Sequence, residues 1–415
     1  MDDWRPERHF RRNLAAVACW ETFWGFGAAC VSASIVMAFL VQLTDSKALI
    51  GSLSLTNLLG LPALFVTVYL NRRLRQKRRF AAALWAAQTL SWVVLGAGVA
   101  LSDGSAAAPL IVLLFAAHAT IYVTNGLVTA PTYELLARVF GRRWGTAQGV
   151  QVFSNRATGM LGGLFAAAVL EAYPFPLNFG LTFLVGGILL TLSNASLLAM
   201  AEPPTYGDEK PPRFGAYLRD LANAVAGHRA FVEFLWVIGL LAFIAMAQGF
   251  YVVYALEHLR LAPSYAGLFT TIAFAANGLG GIVAGPLGDR VGHRRLLLGG
   301  LGFHLASLVG ILATRDLLEF SVALALSGVA TVAASIATAN LTADFAPLGE
   351  KGSYTAVTRL VAQPATALST LLGGILIDLT GYGAVFTAAL SLPLLAIALT
   401  LRFRDPRAAP RSDAA

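Results

Sequence analysis

Long apolar runs divide the chain, and they constrain its fold more than any other feature of the sequence. Crossing the hydrocarbon core of a bilayer takes about 20 mostly apolar residues, and twelve such runs follow one another here. Numbered as segments 1 to 12, they lie at 14–42, 47–70, 80–101, 108–131, 145–171, 177–200, 229–256, 264–287, 293–314, 317–343, 353–378 and 382–401. Because only helices and closed barrels span a bilayer, and these runs lack the alternation of barrel strands, the sequence predicts an all-α integral membrane protein with twelve transmembrane helices.

Composition and charge agree with a place in the membrane. Of 415 residues, 57% are hydrophobic and only 13% are charged, which leaves a soluble fold no way to bury its apolar surface. Of the 30 Lys and Arg, 25 fall on the face that holds both termini, and Lys47, Arg260 and Arg315 fall on the other. The positive-inside rule therefore predicts a multi-pass protein of the cell inner membrane with both termini cytoplasmic. The net charge of +8 then reflects basic loops beside anionic lipid headgroups, and no nucleic-acid partner is expected.

The order of the segments predicts two six-helix halves, at 1–200 and 229–404, followed by a cytoplasmic tail at 405–415. The connection at 201–228 is rich in proline at its start and is predicted to be a cytoplasmic linker. Its second part places apolar residues at helical spacing, which fits an amphipathic helix on the membrane surface or a plain solvated helix. Both interpretations stay open.

Two short patterns repeat at about half the length of the chain. Gly162-Gly163 in segment 5 is echoed by Gly373-Gly374 in segment 11, and Gly141–Ala147 before segment 5 is echoed by Gly349–Thr355 before segment 11. This weak internal repeat indicates that one half resembles the other.

One polar motif stands between segments 8 and 9. The stretch Gly285–Arg295 holds one carboxylate, three guanidinium groups and three glycines, and it is predicted to be a loop joining the ends of two membrane helices. It resembles the cytoplasmic loop motif of the major facilitator superfamily, whose pattern is Gly-x-x-x-Asp-Arg-x-Gly-Arg-Arg/Lys. The resemblance implies the fold of that family, with its central cavity lined by segments 1, 4, 7 and 10, and secondary transport by alternating access.

The same resemblance implies a conformational latch at Asp289, supported by Arg290, Arg294, Gly285 and Gly292. A carboxylate at a helix end needs donors, such as the N-terminus of a neighbouring helix or the two arginines. The equivalent loop of the first half, at 71–77, has no acid and no glycine. A latch in that half is therefore in doubt, and its arginines also fit ordinary topogenic charge.

Two ionisable residues fall deep within segments. Glu21 lies nine residues after Arg12 and Arg156 lies eleven residues after Gly145, which is about 13 and 16 Å into the membrane at about 1.5 Å per residue. Charge at this depth is costly and usually functional. The two side chains are interpreted either as a fixed ion pair that stabilises the N-terminal half or as a site in which Glu21 binds a proton or ligand.

Other polar and aromatic residues mark a possible substrate cavity. Segment 4 carries His118, Tyr122 and Asn125 on one helical stripe, and segment 10 carries Thr331 and Ser335 on another. Hydroxyl groups in helices also bond backbone carbonyls one turn back, so part of the segment 10 stripe has a local explanation. The remaining candidates lie in segments 1 and 7 and are Trp20, Trp24 and Gln248.

The sequence holds no nucleotide-binding loop, metal-ligand cluster or nucleophile with its base, so no enzyme activity and no cofactor are predicted. The predicted function is secondary active transport of a small organic solute by a monomer, with protons as the coupling ion and export as the direction. The drug/proton antiporter pattern is incomplete, because segment 4 lacks arginine and segment 5 lacks proline. An uptake permease, a lipid flippase and, more remotely, a non-transporting membrane sensor remain as alternatives.

Overall fold

The computed structural model describes residues 6–63, 66–67, 74, 76–202, 215–216, 219, 222–223, 228–346 and 351–403. Within these residues every regular element is a helix. Most of the linker, most of residues 71–75 and the tail from 404 onward lie outside them, so the predicted amphipathic helix and cytoplasmic tail stay predictions. All-helical structure, predicted from the apolar runs, is confirmed in the described part of the chain.

Most predicted segments are single long helices. These are Lys77–Ala100 for segment 3, Ala107–Phe140 for segment 4, Trp144–Ala172 for segment 5, Leu177–Leu198 for segment 6, Tyr265–Val291 for segment 8, His293–Ala313 for segment 9, Leu317–Phe345 for segment 10 and Lys351–Thr380 for segment 11. Segment 12 is Tyr382–Ala389 followed directly by Ser391–Arg402. Segment 2 starts with Lys47–Ser52 and the 3-10 helix Leu53–Leu59, and much of its remainder lies outside the described residues.

Ten of the described helices are long and apolar enough to cross a membrane. The other two predicted spans are segment 2, which is only partly described, and segment 5. The helix of segment 5 has 29 residues, which is ample length, but polar side chains such as Gln151, Asn155 and Arg156 lower its apolar character. The structure is therefore consistent with twelve membrane helices.

Segments 1 and 7 are interrupted within the span. Segment 1 consists of Pro6–Cys30 and Ala33–Leu43, and segment 7 consists of Arg229–Phe243, Ala245–Gln248 and Tyr251–His258. Non-helical backbone at membrane depth requires other polar partners. At the first break the Ser32 amide donates to the Ala29 carbonyl at 3.2 Å, and the Ser32 hydroxyl shares a hydrogen bond with Thr270 at 2.7 Å.

The motif at 285–295 is mostly helical, so the prediction of a loop was wrong. Segment 8 continues to Val291, with Pro286 inside the helix, and segment 9 begins at His293. The connection is Gly292 alone, whose φ of 91° lies in the left-handed region that favours glycine. Its amide donates to the Gly288 carbonyl at 2.9 Å, which ends the first helix with its last turn hydrogen-bonded.

The chain divides into two compact units. One comprises Met1–Asp45, Leu55–Pro211 and Leu256–Gly278, and the other comprises Ser46–Ser54, Pro212–Ala255 and Leu279–Ala415. Each unit thus holds a short piece of the chain that the sequence assigns to the opposite half. The boundaries predicted for the two halves, at residues 200 and 229, stay a prediction.

The two repeated glycine pairs make matching contacts, one pair in each unit. A Cβ at Gly162 would overlap the Phe26 carbonyl of segment 1, and a Cβ at Gly373 would overlap the Met246 carbonyl of segment 7. The second glycine of each pair makes a similar contact. Gly163 lies against the backbone of segment 8, and Gly374 lies against the backbone at the start of segment 2. Segments 5 and 11 therefore each approach two neighbouring backbones through a glycine pair.

Asp378, four residues after Gly374, strengthens the contact between segments 11 and 2. Its carboxylate accepts hydrogen bonds from the amides of Lys47 and Ala48, both at 2.9 Å, and from the Ser46 hydroxyl at 3.3 Å. These amides are at the N-terminus of the helix Lys47–Ser52, where backbone donors have no partner within the helix. A side chain from segment 11 thus satisfies the free amides of segment 2.

We expect Gly374→Ala to destabilise the protein by about 1 to 3 kcal/mol, since the new methyl group overlaps the Lys47 carbonyl and must force the helices apart. Gly299→Ala is the matched control, because a Cβ at Gly299 meets nothing within 4 Å in the middle of segment 9. The measurement is thermal unfolding of the purified protein in detergent. Equal unfolding temperatures for the two variants would contradict the close contact.

Candidate functional site

Glu21 receives its hydrogen bond from Asn155, a residue that sequence reasoning did not single out. The Asn155 side-chain amide donates to Glu21 Oε2 at 2.9 Å. One helical turn after Glu21, a Cβ at Gly25 would overlap the Asn155 backbone and the Thr158 hydroxyl. The missing side chain at Gly25 lets segments 1 and 5 approach closely enough for this hydrogen bond. The position of Asn155, directly before Arg156 on a membrane segment, was the signal that could have identified it.

Arg156 does not contact Glu21 directly. No ion pair closer than 4.0 Å joins these two described residues, although they lie close enough for electrostatic attraction. The Arg156 guanidinium instead lies over the Phe274 ring, 5.4 Å from its centre, in a cation–π contact. The sequence predicted that the two charges lie at similar depths. In the structure, the residue of segment 5 that bonds the Glu21 carboxylate is the neutral Asn155.

Three tryptophans pack together on the helix of Glu21 and beside it. Trp20 and Trp24 were predicted at this site, and Trp85 of segment 3 completes the cluster, with its ring centre 4.9 Å from that of Trp24 and 6.2 Å from that of Trp20. Trp85 donates to the Thr132 hydroxyl at 3.1 Å. The three rings form a large apolar surface between segments 1 and 3, close in the chain to Glu21.

The stripe predicted on segment 4 divides into two parts. His118 and Tyr122 line a cavity of about 280 Å³ together with Trp24 of segment 1. Asn125 is not among the residues that line this cavity. Its side-chain oxygen accepts a hydrogen bond from the Thr129 hydroxyl at 2.8 Å, one turn along the same helix.

In the second unit, the structure brings together two of the three predicted residues of segments 7 and 10. The Gln248 amide donates to the Thr331 hydroxyl at 3.1 Å and to the Ser327 hydroxyl at 2.8 Å. Gln248 ends the short helix Ala245–Gln248, where segment 7 is interrupted. Ser335 is exposed, and its carbonyl accepts a local hydrogen bond from Thr338.

The motif around Asp289 shows different partners from those expected. The Asp289 side chain is 79% exposed, and its nearest ionisable partner is His293 Nε2 at 3.8 Å. Arg294 donates to the carbonyls of Thr400 and Leu401 at 2.8 and 2.6 Å. Arg294, one of the donors considered for Asp289, thus bonds the free carbonyls at the end of segment 12 instead.

Arg290 is exposed, and among the described residues no hydrogen bond or ion pair is formed by its side chain. A Cβ at Gly285 would meet nothing within 4 Å, so packing in this structure does not require glycine there. Gly292 does require it, through its positive φ. The part that these residues play in a latch stays a prediction.

Comparison of the sequence with known proteins gives matches over part of the chain. A family model described as Major Facilitator Superfamily matches residues 235–415. Methyl viologen resistance protein SmvA of Salmonella typhimurium (strain LT2) is 35% identical over 138 residues, which are 31% of this chain and 26% of that protein. Uncharacterized MFS-type transporter Rv1877 of Mycobacterium tuberculosis (strain H37Rv) is 32% identical over 121 residues, 29% of this chain and 18% of that protein. The chain thus matches about a quarter or less of the length of these curated relatives.

Solved structures match over nearly the whole chain. A mutant of the nucleoside transporter NupG has a TM-score of 0.75 at 11% identity and covers 94% of this chain and 98% of its own. A bacterial homologue of the iron transporter ferroportin has a TM-score of 0.68 at 14% identity, with 95% and 98% covered. At these identities the likeness shows the fold alone, which is the twelve-helix fold that the sequence predicted.

We expect Arg294→Ala to lower the unfolding temperature, because it removes two charge-assisted hydrogen bonds from the end of segment 12 and its packing over the Phe403 ring. Arg295→Ala is the matched control, since Arg295 is exposed and forms no hydrogen bond or ion pair with any described residue. Both variants remove one positive charge. Equal loss of stability in the two would show that charge, and not the carbonyl contacts, matters at this helix end.

Proposed function

The chain belongs to the major facilitator superfamily, and on that premise we propose that it is a secondary active transporter that exports a small organic solute by alternating access. Protons are the proposed coupling ion. Export is supported by the relative named for methyl viologen resistance, which points to removal of an organic toxicant by that protein. The multi-pass membrane protein is proposed to lie in the cell inner membrane with both termini cytoplasmic, as the positive-inside rule indicates.

The hydrogen bond between Glu21 and Asn155 carries the proposal for proton coupling. A carboxyl group inside a membrane segment is costly, and such groups commonly mark proton or substrate pathways. Glu21 has a neutral partner at 2.9 Å and lacks a direct ion pair with Arg156. A side-chain amide can donate to a carboxylate, and its oxygen can accept from a protonated carboxyl group. Asn155 therefore can serve both protonation states of Glu21.

Arg156 completes the proposed mechanism. In general, a nearby positive charge and an apolar environment act on a carboxyl group in opposite directions. A change in hydration or a bound solute that alters this balance would make Glu21 take up or release a proton. If each protonation state favours a different conformation, solute movement becomes coupled to the pH gradient.

We expect Glu21→Gln to abolish accumulation of solute driven by a pH gradient in proteoliposomes while downhill exchange continues. The amide keeps the shape of the side chain and cannot carry a proton. Glu233→Gln is the matched control, because Glu233 pairs with Arg229 at 3.3 Å near the start of segment 7. Counterflow against a mixed solute library, with methyl viologen tested first, identifies the solute to be followed.

A double variant separates proton coupling from a structural role of the two charges. If Glu21 only neutralises Arg156, then Glu21→Gln with Arg156→Gln should recover pH-driven accumulation. The proposal expects no recovery, because the titrating group is missing from both variants. An uptake permease would give the same dependence on Glu21 with the opposite direction of flux, so the same vesicles also test the direction.

Asp289 is proposed to act as a conformational latch in the transport cycle. Arg290, Arg294, Gly285 and Gly292 are proposed to support it. Asp289→Asn should leave the amount of folded protein unchanged, because the side chain is exposed, and should reduce the rate of exchange by shifting the conformational equilibrium by about 1 to 3 kcal/mol. Asp103→Asn, in the exposed turn between segments 3 and 4, is the control. Wild-type exchange in Asp289→Asn would show that the motif serves only insertion and topology.

A further inference from the structure

A cavity of about 280 Å³ lies inside the first unit, between segments 1, 3, 4 and 6. We call it the aromatic cavity, and it is lined by Trp24, Ala28, Val31, Ala33, Val36, Gln88, Thr89, Trp92, His118, Ile121, Tyr122 and Leu190. Its volume is close to the lower limit of about 300 Å³ for ligand pockets in proteins. Two of its helices, segments 3 and 6, are not among those that the family resemblance assigns to the central cavity.

Aromatic rings form much of its wall. The Trp92 and His118 rings meet edge to face with their centres 5.5 Å apart, and the centres of the His118 and Tyr122 rings are 6.2 Å apart. Trp24 contributes from segment 1. Flat aromatic groups pack well against such surfaces in offset or edge-to-face arrangements. The shape and chemistry of the wall therefore fit a flat aromatic ligand.

Two polar side chains of the wall, those of Gln88 and Thr89, already have partners. The Gln88 side-chain oxygen accepts from the Thr124 hydroxyl at 3.3 Å. The Thr89 hydroxyl donates to the Trp85 carbonyl at 3.0 Å and accepts from the Thr191 hydroxyl at 3.0 Å. The imidazole of His118, in contrast, forms no hydrogen bond with any residue that the structure describes. Among the described residues, the indole N–H groups of Trp24 and Trp92 and the Tyr122 hydroxyl have no hydrogen-bond partner either. His118 is thus one of several wall residues with hydrogen-bonding capacity to offer a ligand.

The burial of one ring nitrogen of His118 indicates which nitrogen carries the proton. Nε2 of His118 is buried and has no partner. Buried N–H groups without an acceptor are rarer than buried acceptors without a donor, so the proton of the neutral imidazole is better placed on Nδ1. A ligand would then meet an N–H donor at His118 and would need an acceptor atom.

Charge restricts the ligand further. All twelve lining residues are described, and none of them is Asp, Glu, Lys or Arg. A charged ligand would enter the cavity without a counter-ion in the wall and would lose its hydration. We infer that the aromatic cavity is a binding site for a flat, uncharged aromatic group with one hydrogen-bond acceptor, which receives the N–H of His118. The inference concerns equilibrium binding and is independent of the proposed direction and coupling of transport.

Three probes of nearly equal shape test this inference. Quinoline has a ring nitrogen that accepts a hydrogen bond, naphthalene has none, and 1-methylquinolinium carries a permanent positive charge. Binding of tritiated quinoline to the full chain, immobilised in detergent, is measured by scintillation proximity without any gradient, and the unlabelled probes are added as competitors. We expect quinoline to bind about tenfold more tightly than naphthalene, as one hydrogen bond of about 1.4 kcal/mol implies, and 1-methylquinolinium to bind most weakly.

Two variants connect binding to this cavity. His118→Phe should weaken quinoline binding about tenfold and leave competition by naphthalene unchanged, so that the two probes become equal. Ala28→Leu should fill the cavity and prevent binding of both. Ala116→Leu, at an exposed position of segment 4 outside the cavity, is the matched control and should bind like the wild type.

Several results would overturn the inference. These are the absence of quinoline binding to the wild type, equal wild-type affinity for quinoline and naphthalene, tighter binding of 1-methylquinolinium, or full binding in Ala28→Leu. Size-exclusion chromatography shows whether the filled variant is folded, and His118→Phe decides the question if that variant is not. None of these outcomes depends on transport, so loss of the cavity inference would leave the proton-coupling proposal standing.

Discussion

A carboxyl group inside a membrane segment needs a hydrogen-bond partner, and the Glu21–Asn155 contact at 2.9 Å meets that need. The bilayer core offers no water to compensate an unsatisfied polar group. The contact exists only because Gly25 lets segment 1 approach the backbone of segment 5. Packing of two helices and the chemistry of the candidate site thus depend on the same few residues.

Close approach at small residues recurs through the rest of the fold. Membrane helices have no hydrophobic drive toward one another, so close packing and interhelical hydrogen bonds hold them together. Gly162 and Gly163 bring segment 5 against segments 1 and 8, while Gly373 and Gly374 bring segment 11 against segments 7 and 2. The carboxylate of Asp378 then satisfies amides at the start of segment 2. Each unit is stabilised by backbone contact followed by a specific polar interaction.

The sequence predicts those features that depend on composition and local period. Apolar length identified the membrane segments, and the cost of buried charge singled out Glu21 and Arg156. The partner of Glu21 was missed, because it depends on how segments 1 and 5 are rotated and how closely they approach. A single sequence contains no measure of either quantity. The two glycine pairs were visible as a repeat, but the role of Gly25 beside Asn155 was not.

The same limit explains the other differences. His118 and Asn125 lie on one stripe by helical period, yet of these two only His118 lines the aromatic cavity, while Asn125 accepts a local hydrogen bond from Thr129. Arg294 was one of the donors considered for Asp289, but its guanidinium group bonds the carbonyls of Thr400 and Leu401. The motif at 285–295 was read as a loop from its glycines, although Gly292 alone leaves the helical conformation. In each case a partner from another turn or another segment decided the outcome.

The central claim is that Glu21 changes its protonation state while Asn155 keeps it hydrogen-bonded. Infrared difference spectra of the reconstituted protein between acidic and alkaline buffer report the protonated carboxyl group directly, without knowledge of the solute. The account predicts a carboxyl band in the wild type that is absent from Glu21→Gln and is shifted in Asn155→Ala, where the hydrogen bond is lost. Identical difference spectra for the wild type and Glu21→Gln would show that Glu21 does not titrate, and would contradict the account.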